Sequence, residues 1–439
     1  MTAPVISPAV ISPARHPAIS ASGRVVVAGA GVAGWSAAER LRERGHRGEI
    51  VVVGEETHRP YHRPPLSKQL LTGAMAPRDL ALRGYPDPQV TWRRGTRVVG
   101  LDAANHTVVL PGGERLGFDG LIIATGVEAR HLPGTPVHSP RVWMLRTLDD
   151  ARAIDAAMAR AGHVAVIGGG FLGCELACTA RARGLQVTVI DISPTLLTRG
   201  LSTRLGQVVT DLHREAGVRL RLGVGVSGWR EDRRGVCVEL ADGTEVRADV
   251  AVVGVGTHPR TDWLHGNGWD LTDGVLCAPS THVLDGRGRA LPRIVAAGDV
   301  ARWPNLRFER TPRRVEHQIN AIEMGQAAAD ALLTGPGRAG AFTPIPRFWS
   351  HQHGVRIQSV GMPQLGTQVQ ILHGSLASRR VVAGFTRPAA DQTPLLVGVI
   401  GLDSPRTLLR YRDLLGLPLF AHRDRSGPAP FSAEQSRAS

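Results

Sequence analysis

The sequence predicts an α/β protein built on two doubly wound, mostly parallel sheets and followed by a smaller α+β domain. Three observations predict it. Two strand–glycine turn–helix–strand segments recur 139 residues apart, counted from Gly29 to Gly168. A Gly/Pro-rich boundary, TGPGRAGAFTPIP, follows, and after it comes a run of short apolar stretches. The 439 residues are enough for about three domains of ~150 residues. Apolar residues make up 42% of the chain, and no uninterrupted apolar run approaches the ~20 residues that cross a bilayer. No membrane association is expected.

Residues 1–22, MTAPVISPAVISPARHPAISAS, are Pro/Ala/Ser-rich and lack the apolar core of a signal peptide, so they are expected to be a disordered leader. From Arg24, VVVAGAGVAGWSAAERLRERG and then EIVVVGEE read as a β-branched strand, a glycine turn, an amphipathic helix stopped at Gly45 and a second strand. A Pro-rich loop, RPYHRPPLSKQLL, comes next. It leads to alternating strand-like stretches over 98–110 and the apolar strand GLIIATG ending at Gly126. HVAVIGGGFLGCELACTARARG with LQVTVID repeats the first unit. Strands are expected over 236–240 and 250–255, then IVAAGDVA at 294–301, a helix over 316–333, successive strands over 347–402 and a closing helix over 405–415. The expected domains are 23–130 with 255–336, then 131–254, then 337–422, before a polar tail at 423–439.

Each glycine loop has the form Gly-x-Gly-x-x-Gly, at Gly29, Gly31 and Gly34 and at Gly168, Gly170 and Gly173. The first glycine permits a tight turn, the second lets backbone approach a pyrophosphate, and the third lets helix pack close to strand. The helix that follows offers unpaired N–H groups to phosphates. An acid closes the next strand in each unit, Glu55 and Asp191, placed for ribose hydroxyls. These are Rossmann-like dinucleotide-binding units. Asp191 would repel a 2′-phosphate, and Ile192, Ser193 and Pro194 follow it, so the second site favours NADH over NADPH. Arg199 is the nearest positive charge in sequence and weakens that preference. Two dinucleotides in one chain suggest FAD receiving hydride from a nicotinamide.

Four cysteines occur, Cys174, Cys178, Cys237 and Cys277. They include no Cys-x-x-Cys pair and no Cys/His run at zinc spacing, which suits a reducing, cytoplasmic setting and no metal site. Cys174 and Cys178 lie one helical turn apart and are expected to pack inward as small hydrophobes. The net charge is +14, with one lysine, Lys68, among 52 cationic side chains. A general arginine bias and a solvated surface are the favoured reading, ahead of an acidic protein partner. Nucleic acid comes last, because the arginines of 302–314 and 379–425 are not interleaved with aromatics.

Several segments together carry a resemblance: VVVAGAGVAG, GEETHRPYHRPPLSK, IIATG, VIGGGFLGCE, VAAGDVA, VEHQINAIEMG, FWSHQHGVRIQSVG and DSPRTLLRYRDLL. In this order they resemble the FAD-dependent ferredoxin reductases that supply oxygenases, within the pyridine nucleotide-disulfide oxidoreductase superfamily. The resemblance implies an FAD domain, an NAD domain and a C-terminal reductase domain. Gly29, Gly31, Val32, Ala33, Gly34 and Glu55 would hold the ADP half of FAD. Arg63, Val98, Ala124, Thr125, Gly126 and Arg130 would line the same crevice, and Asp299 with Val300 would meet the ribityl or phosphate region. Lys68 would lie beside the flavin N5 edge, paired with Glu175. A helix opening at Glu316, His317 and Gln318 would aim its N-terminus at the pyrimidine ring, with Trp349 edging the isoalloxazine. Gly168, Gly170, Phe171, Leu172, Gly173, Asp191, Arg199, Gly254 and Gly256 would serve NADH.

The implied function is electron transfer from NADH through FAD to an acidic iron-sulfur ferredoxin, and indirectly to an oxygenase, by a monomer or homodimer. The family's redox cysteine pair is missing from RPYHRPPLSKQLL, which excludes a dithiol relay. The sequence also departs from its relatives. Gln318 stands where many have tryptophan, His62 where aspartate is usual, and His351 and His353 at acidic and aromatic positions; the histidines read as surface substitutions in preference to pH-sensitive groups. Two other readings stay open: direct reduction of a quinone or other small molecule, and a slow-turnover redox sensor.

Overall fold

A computed structural model describes residues 19–82, 89–198 and 200–419. The expected leader up to residue 18, Arg199 and the tail lie outside the described residues. The chain forms two compact units that meet between Gly354 and Val355.

In the first unit the principal elements come in the order β1 (Val25–Ala28), α1 (Val32–Glu43), β2 (Ile50–Gly54), β3 (Val90–Arg94) and β4 (Gly120–Ile123). Next are β5 (Val142–Met144), α2 (Leu148–Met158), β6 (His163–Ile167), α3 (Phe171–Ala182), β7 (Gln186–Asp191), α4 (Thr203–Glu215), β8 (Arg219–Leu222) and β9 (Val250–Val253). β10 (His282–Leu284), β11 (Ala290–Ala296), α5 (Gln318–Thr334) and β12 (Arg347–Gln352) complete it.

Among the described residues, one sheet has the strand order β10-β11-β4-β1-β2-β3 and a second has β8-β7-β6-β9-β5. Every pair in the second is parallel, and in the first only β10 runs against its neighbour. The sequence explains this: VVVA, GLII and VAVV are apolar at every position and wholly buried, as strands covered on both faces must be. The chain leaves the first sheet and returns to it along an antiparallel ribbon of Val127–Ala129 and Thr257–Pro259.

α1 ends at Arg44, and Gly45 follows at φ 79°, the left-handed stop expected of that glycine. α2 and α4 follow no glycine loop. Their signals are caps: the Thr147 hydroxyl accepts from the Asp150 amide while the Asp150 carboxylate accepts from the Thr147 amide, and the Ser202 hydroxyl accepts from Leu205. The second unit holds antiparallel strands β13 (Val355–Gly361), β14 (Gln368–Ser375), β15 (Arg380–Pro388) and β16 (Pro394–Leu402), in the order β13-β16-β15-β14. The closing helix is shorter than expected: it spans Pro405–Leu409, and a separate 3-10 turn covers Arg412–Leu414.

Candidate functional site

Both glycine loops adopt the backbone that their spacing requires. Gly29 and Gly168 sit at φ 120° and 109°. A Cβ on either would strike a carbonyl of the neighbouring strand's exit, Ala124 or Gly254. A Cβ on Gly34 or Gly173 would land on the carbonyl of Gly29 or Gly168, so the third glycine sets the distance from helix to strand. Gly31 and Gly170 differ: a Cβ there meets nothing within 4 Å. Protein packing does not demand glycine at these two positions, whereas close approach of a ligand to the backbone does.

The first loop opens into a cleft of about 870 Å³. Gly29, Gly31, Val32, Ala33, Glu55, Arg63, Lys68, Val98, Ala124, Thr125, Gly126, Asp299, Glu316, His317, Gln318 and Trp349 all line it, joined by Phe171, Leu172 and Glu175 from the start of α3. Three expected members do not line it. Gly34 packs against the Gly29 carbonyl. Arg130 turns outward and donates to the Thr257 carbonyl, and Val300 is fully buried in the turn after β11. Arg260, which sequence reasoning missed, occupies the cleft and pairs with Glu55. Gly168, Gly170, Gly173, Asp191, Gly254 and Gly256 lie outside the cleft, on the second sheet's side.

In the wall of the cleft, the Lys68 ammonium sits 2.8 Å from Glu175 Oε2. The Ser67 hydroxyl donates to the same oxygen at 2.6 Å, and Ser350 donates to Oε1 at 2.7 Å. Glu175 is 7% exposed, so these donors replace the water lost on burial. Ser67 and Ser350 lie inside RPPLSK and FWSHQHG, beside Lys68 and Trp349, but only the fold reveals that both bond to Glu175. Asp299 pairs with Arg146 at 3.1 Å; burial pulls the Arg146 guanidinium below its ordinary pKa, and Asp299 opposes that. Arg63 donates to the Arg146 carbonyl at 2.7 Å and to Glu56 at 2.5 Å. Tyr61 and Glu56, also unforeseen, brace it.

α5 opens at Gln318 into the same cleft, presenting the unpaired N–H groups and partial positive charge of a helix start. His317 stacks against Phe348 with centroids 5.0 Å apart, and burial holds its pKa down at about 4. Its Nδ1 is buried with no hydrogen-bond partner among the described residues. That orphaned atom and the open Gly31 position fit a polar, flat group occupying the cleft.

Two of the departures from relatives, Gln318 and His62, pair with each other, and the surface reading is corrected for His62 and His353, which are half-buried. Gln318 Nε2 donates to His62 Nδ1 at 2.8 Å, so the two changes meet directly. His353 is half-buried and meets His213 at 3.2 Å. Cys174 is buried as expected, but Cys178 is only half-buried and faces these two histidines.

Residues 23–325 match the family model described as pyridine nucleotide-disulphide oxidoreductase. The chain belongs to the pyridine nucleotide-disulphide oxidoreductase family. As an oxidoreductase of that family it is a flavoprotein that works with a pyridine nucleotide. All four cysteines are free. The oxidoreductase is 33% identical to the ferredoxin–NAD(+) reductase component of the p-cumate 2,3-dioxygenase system of Pseudomonas putida, over 88% of this chain and 91% of that one. It is 32% identical to rhodocoxin reductase of Rhodococcus erythropolis, over 89% of each chain. The reductase in a covalent putidaredoxin reductase–putidaredoxin complex superposes with a TM-score of 0.82 at 29% identity, covering 90% of this chain and 94% of that one.

Proposed function

We propose that the protein is an NADH-dependent ferredoxin reductase that holds FAD in the 870 Å³ cleft and delivers electrons to an acidic iron-sulfur ferredoxin serving an oxygenase. The observation that carries this reading is the convergence of the first glycine loop, the Lys68–Glu175 pair and the α5 N-terminus on one cleft. The named relatives, matched over most of both chains, support the choice of acceptor.

Gly29 to Gly34 and Glu55 would hold the adenosine diphosphate end of FAD, and Asp299 its central polar chain. When bound, FAD supplies hydride acceptance from NADH and release of electrons one at a time. The chain's own residues do the rest. Glu175, held by Ser67 and Ser350, fixes the position of the Lys68 ammonium. The α5 N-terminus favours negative charge in front of it. Phe171 and Phe348, with ring centroids 4.7 Å apart, would give the approach from the second glycine loop an apolar wall.

Asp191 supports NADH as the donor. Its carboxylate accepts from the Gly169 amide at 2.5 Å and the Ser193 amide at 2.6 Å, which fixes a negative charge at the end of β7. Among the described residues no guanidinium pairs with it. A cytoplasmic location fits the four free cysteines, and no helix among the described residues is long and apolar enough to cross a membrane. For docking, the arginine run of 302–314 is less available than its composition suggests: Arg302, Arg313 and Arg314 are tied to Asp270, Glu309 and Asp273, whereas Arg307 and Arg310 are exposed.

Anaerobic titration with NADH, followed by turnover with and without an added [2Fe–2S] ferredoxin, tests the reading. The expected result is a yellow protein bleached by one equivalent of NADH, whose sustained turnover requires the ferredoxin. Turnover equally fast with a quinone alone would overturn the acceptor.

A further inference from the structure

The first unit holds a second group of chemistry-bearing side chains, behind the Lys68–Glu175 pair. Cys178 lies on α3 one turn beyond Glu175, His213 in the last turn of α4, and His353 in the turn that follows β12. No sequence spacing joins positions 178, 213 and 353, yet one donor atom from each lies within 4.8 Å of the others. The imidazoles meet edge to face with centroids 4.5 Å apart, and His353 Nε2 is 3.2 Å from His213 Nδ1.

In a tetrahedral site with metal–nitrogen bonds of about 2.0 Å and a metal–sulfur bond of about 2.3 Å, neighbouring donor atoms stand roughly 3.3–3.8 Å apart. The two nitrogens, 3.2 Å apart, stand just inside that spacing. The thiol needs a shift of about an ångström, within the reach of one side chain.

The surroundings are those of a ligand set. Gln352 is fully buried, and its Oε1 lies 3.1 Å from His213 Nε2. Accepting the Nε2 proton, it turns the Nδ1 lone pair toward His353 and Cys178, as outer-shell carbonyls do for ligating histidines. Gln352 in turn donates to Ser350, which donates to Glu175. His353 itself sits at φ 46° ahead of Gly354 at 82°, a left-handed backbone that non-glycine residues seldom adopt, and its ring lies against His213. An open cavity of about 530 Å³, bounded in part by Cys178, His353 and Glu175, gives a path for entry and room for a fourth ligand. Arg181 also borders it, but the carbonyls of Ala216 and Leu185 hold its guanidinium.

We propose that Cys178, His213 and His353 bind one tetrahedral, thiophilic divalent cation of the zinc class, with water in the fourth position facing the cavity. Two imidazoles and a thiolate are borderline-soft donors that select such an ion over magnesium or calcium. Binding forms a metal–sulfur bond and sends the thiol proton to solvent, while the Nε2 proton by which His353 bonds to His213 is replaced by one on His353 Nδ1, so that both facing nitrogens offer lone pairs. The site lies one donor chain, Gln352 and Ser350, away from Glu175, and it does not depend on the identity of the electron acceptor.

Chelator-treated holoenzyme titrated anaerobically with Co²⁺ tests the assignment. One equivalent is expected to bring up intense tetrahedral d–d bands at wavelengths beyond the flavin's absorption, and Zn²⁺ should displace them. Cys178→Ser and His353→Asn should each weaken the metal by at least about tenfold while the flavin spectrum stays that of the parent; asparagine tolerates the left-handed turn. A faint octahedral spectrum from the parent protein overturns the site even if the variants fold poorly, and so do bands that survive in both variants.

Discussion

The two glycine loops have nearly the same backbone, with first glycines at φ 120° and 109° and third glycines packed on the carbonyls of the first. Their surroundings differ. Gly31 faces a deep cleft shared with α5, Lys68 and Asp299, whereas Gly170 lies outside that cleft, and only Phe171, Leu172 and Glu175 reach into it from the second loop. The acids differ as well: Glu55 is held by Arg260, Asp191 by two backbone amides. A shared local motif therefore fixes how a pyrophosphate is met but not how tightly the rest of the dinucleotide is enclosed. The enclosed loop suits a resident cofactor and the outer one suits a nucleotide that exchanges at each turnover.

Matched substitutions give the sharpest break of this comparison. Gly31→Val adds atoms where the protein has none, so the chain should fold and yet emerge colourless. Gly170→Val should stay yellow and lose only NADH affinity. The ratio of flavin to protein absorbance reads the first, and the Michaelis constant for NADH reads the second. If both variants keep FAD, the two loops are not divided in this way.

Acid should bear on the first region through two groups. Burial depresses His282 and His317 to about 4, against about 6.5 in an unfolded chain. Between those values the unfolded state binds more protons, so stability is complete above pH 6.5 and falls as pH drops toward 4, by up to about 1.4 kcal/mol per pH unit for each histidine. His317 borders the cleft, so flavin fluorescence should rise as FAD is released over the same window. Fluorescence that stays flat down to pH 4 would show that these rings do not support the bound cofactor.

Glu175→Gln isolates the junction between the regions. The isosteric amide keeps the volume and part of the hydrogen bonding but leaves Lys68 without a counter-charge. Flavin reduction by NADH, followed by stopped flow, should slow by about 10- to 100-fold with FAD still bound. Loss of FAD in its place would move Glu175 from the junction into the flavin pocket.

What the sequence disclosed follows the range of the physics involved. Strand–turn–helix patterns and the glycine loops are local, so VVVAGAGVAG and VIGGGFLGCE were legible, and so was Lys68, the one lysine in an arginine-rich chain. The roles of Ser67, Ser350 and Arg260 were not: they act through partners 108, 175 and 205 positions away, and no local pattern names such a partner even where, as for Ser67 and Ser350, the segment itself is recognisable. The paired departures show the same limit. His62 read as a surface substitution and Gln318 as a change at the start of a cofactor-facing helix, and only their 2.8 Å contact shows that the two meet. Arg130 erred in the opposite direction, since position along the chain put it near the crevice while its side chain runs to the Thr257 carbonyl.

The smallest effect belongs to the outer loop. Asp191 spends its carboxylate on the Gly169 and Ser193 amides, so Asp191→Ala removes both a charge beside the ribose and a brace on the glycine turn. A hydrogen bond to a charged group contributes about 1.5–3 kcal/mol, and part of that is shared with the brace, so the Michaelis constant for NADH should rise by about tenfold. NADPH, which gains nothing from a carboxylate near its 2′-phosphate, should lose only the brace. The two constants should therefore converge, and Asp191→Asn, which keeps an acceptor for the amides without the charge, should restore NADH less than it improves NADPH. Equal losses for both nucleotides would mean that Asp191 shapes the turn and never meets the ribose.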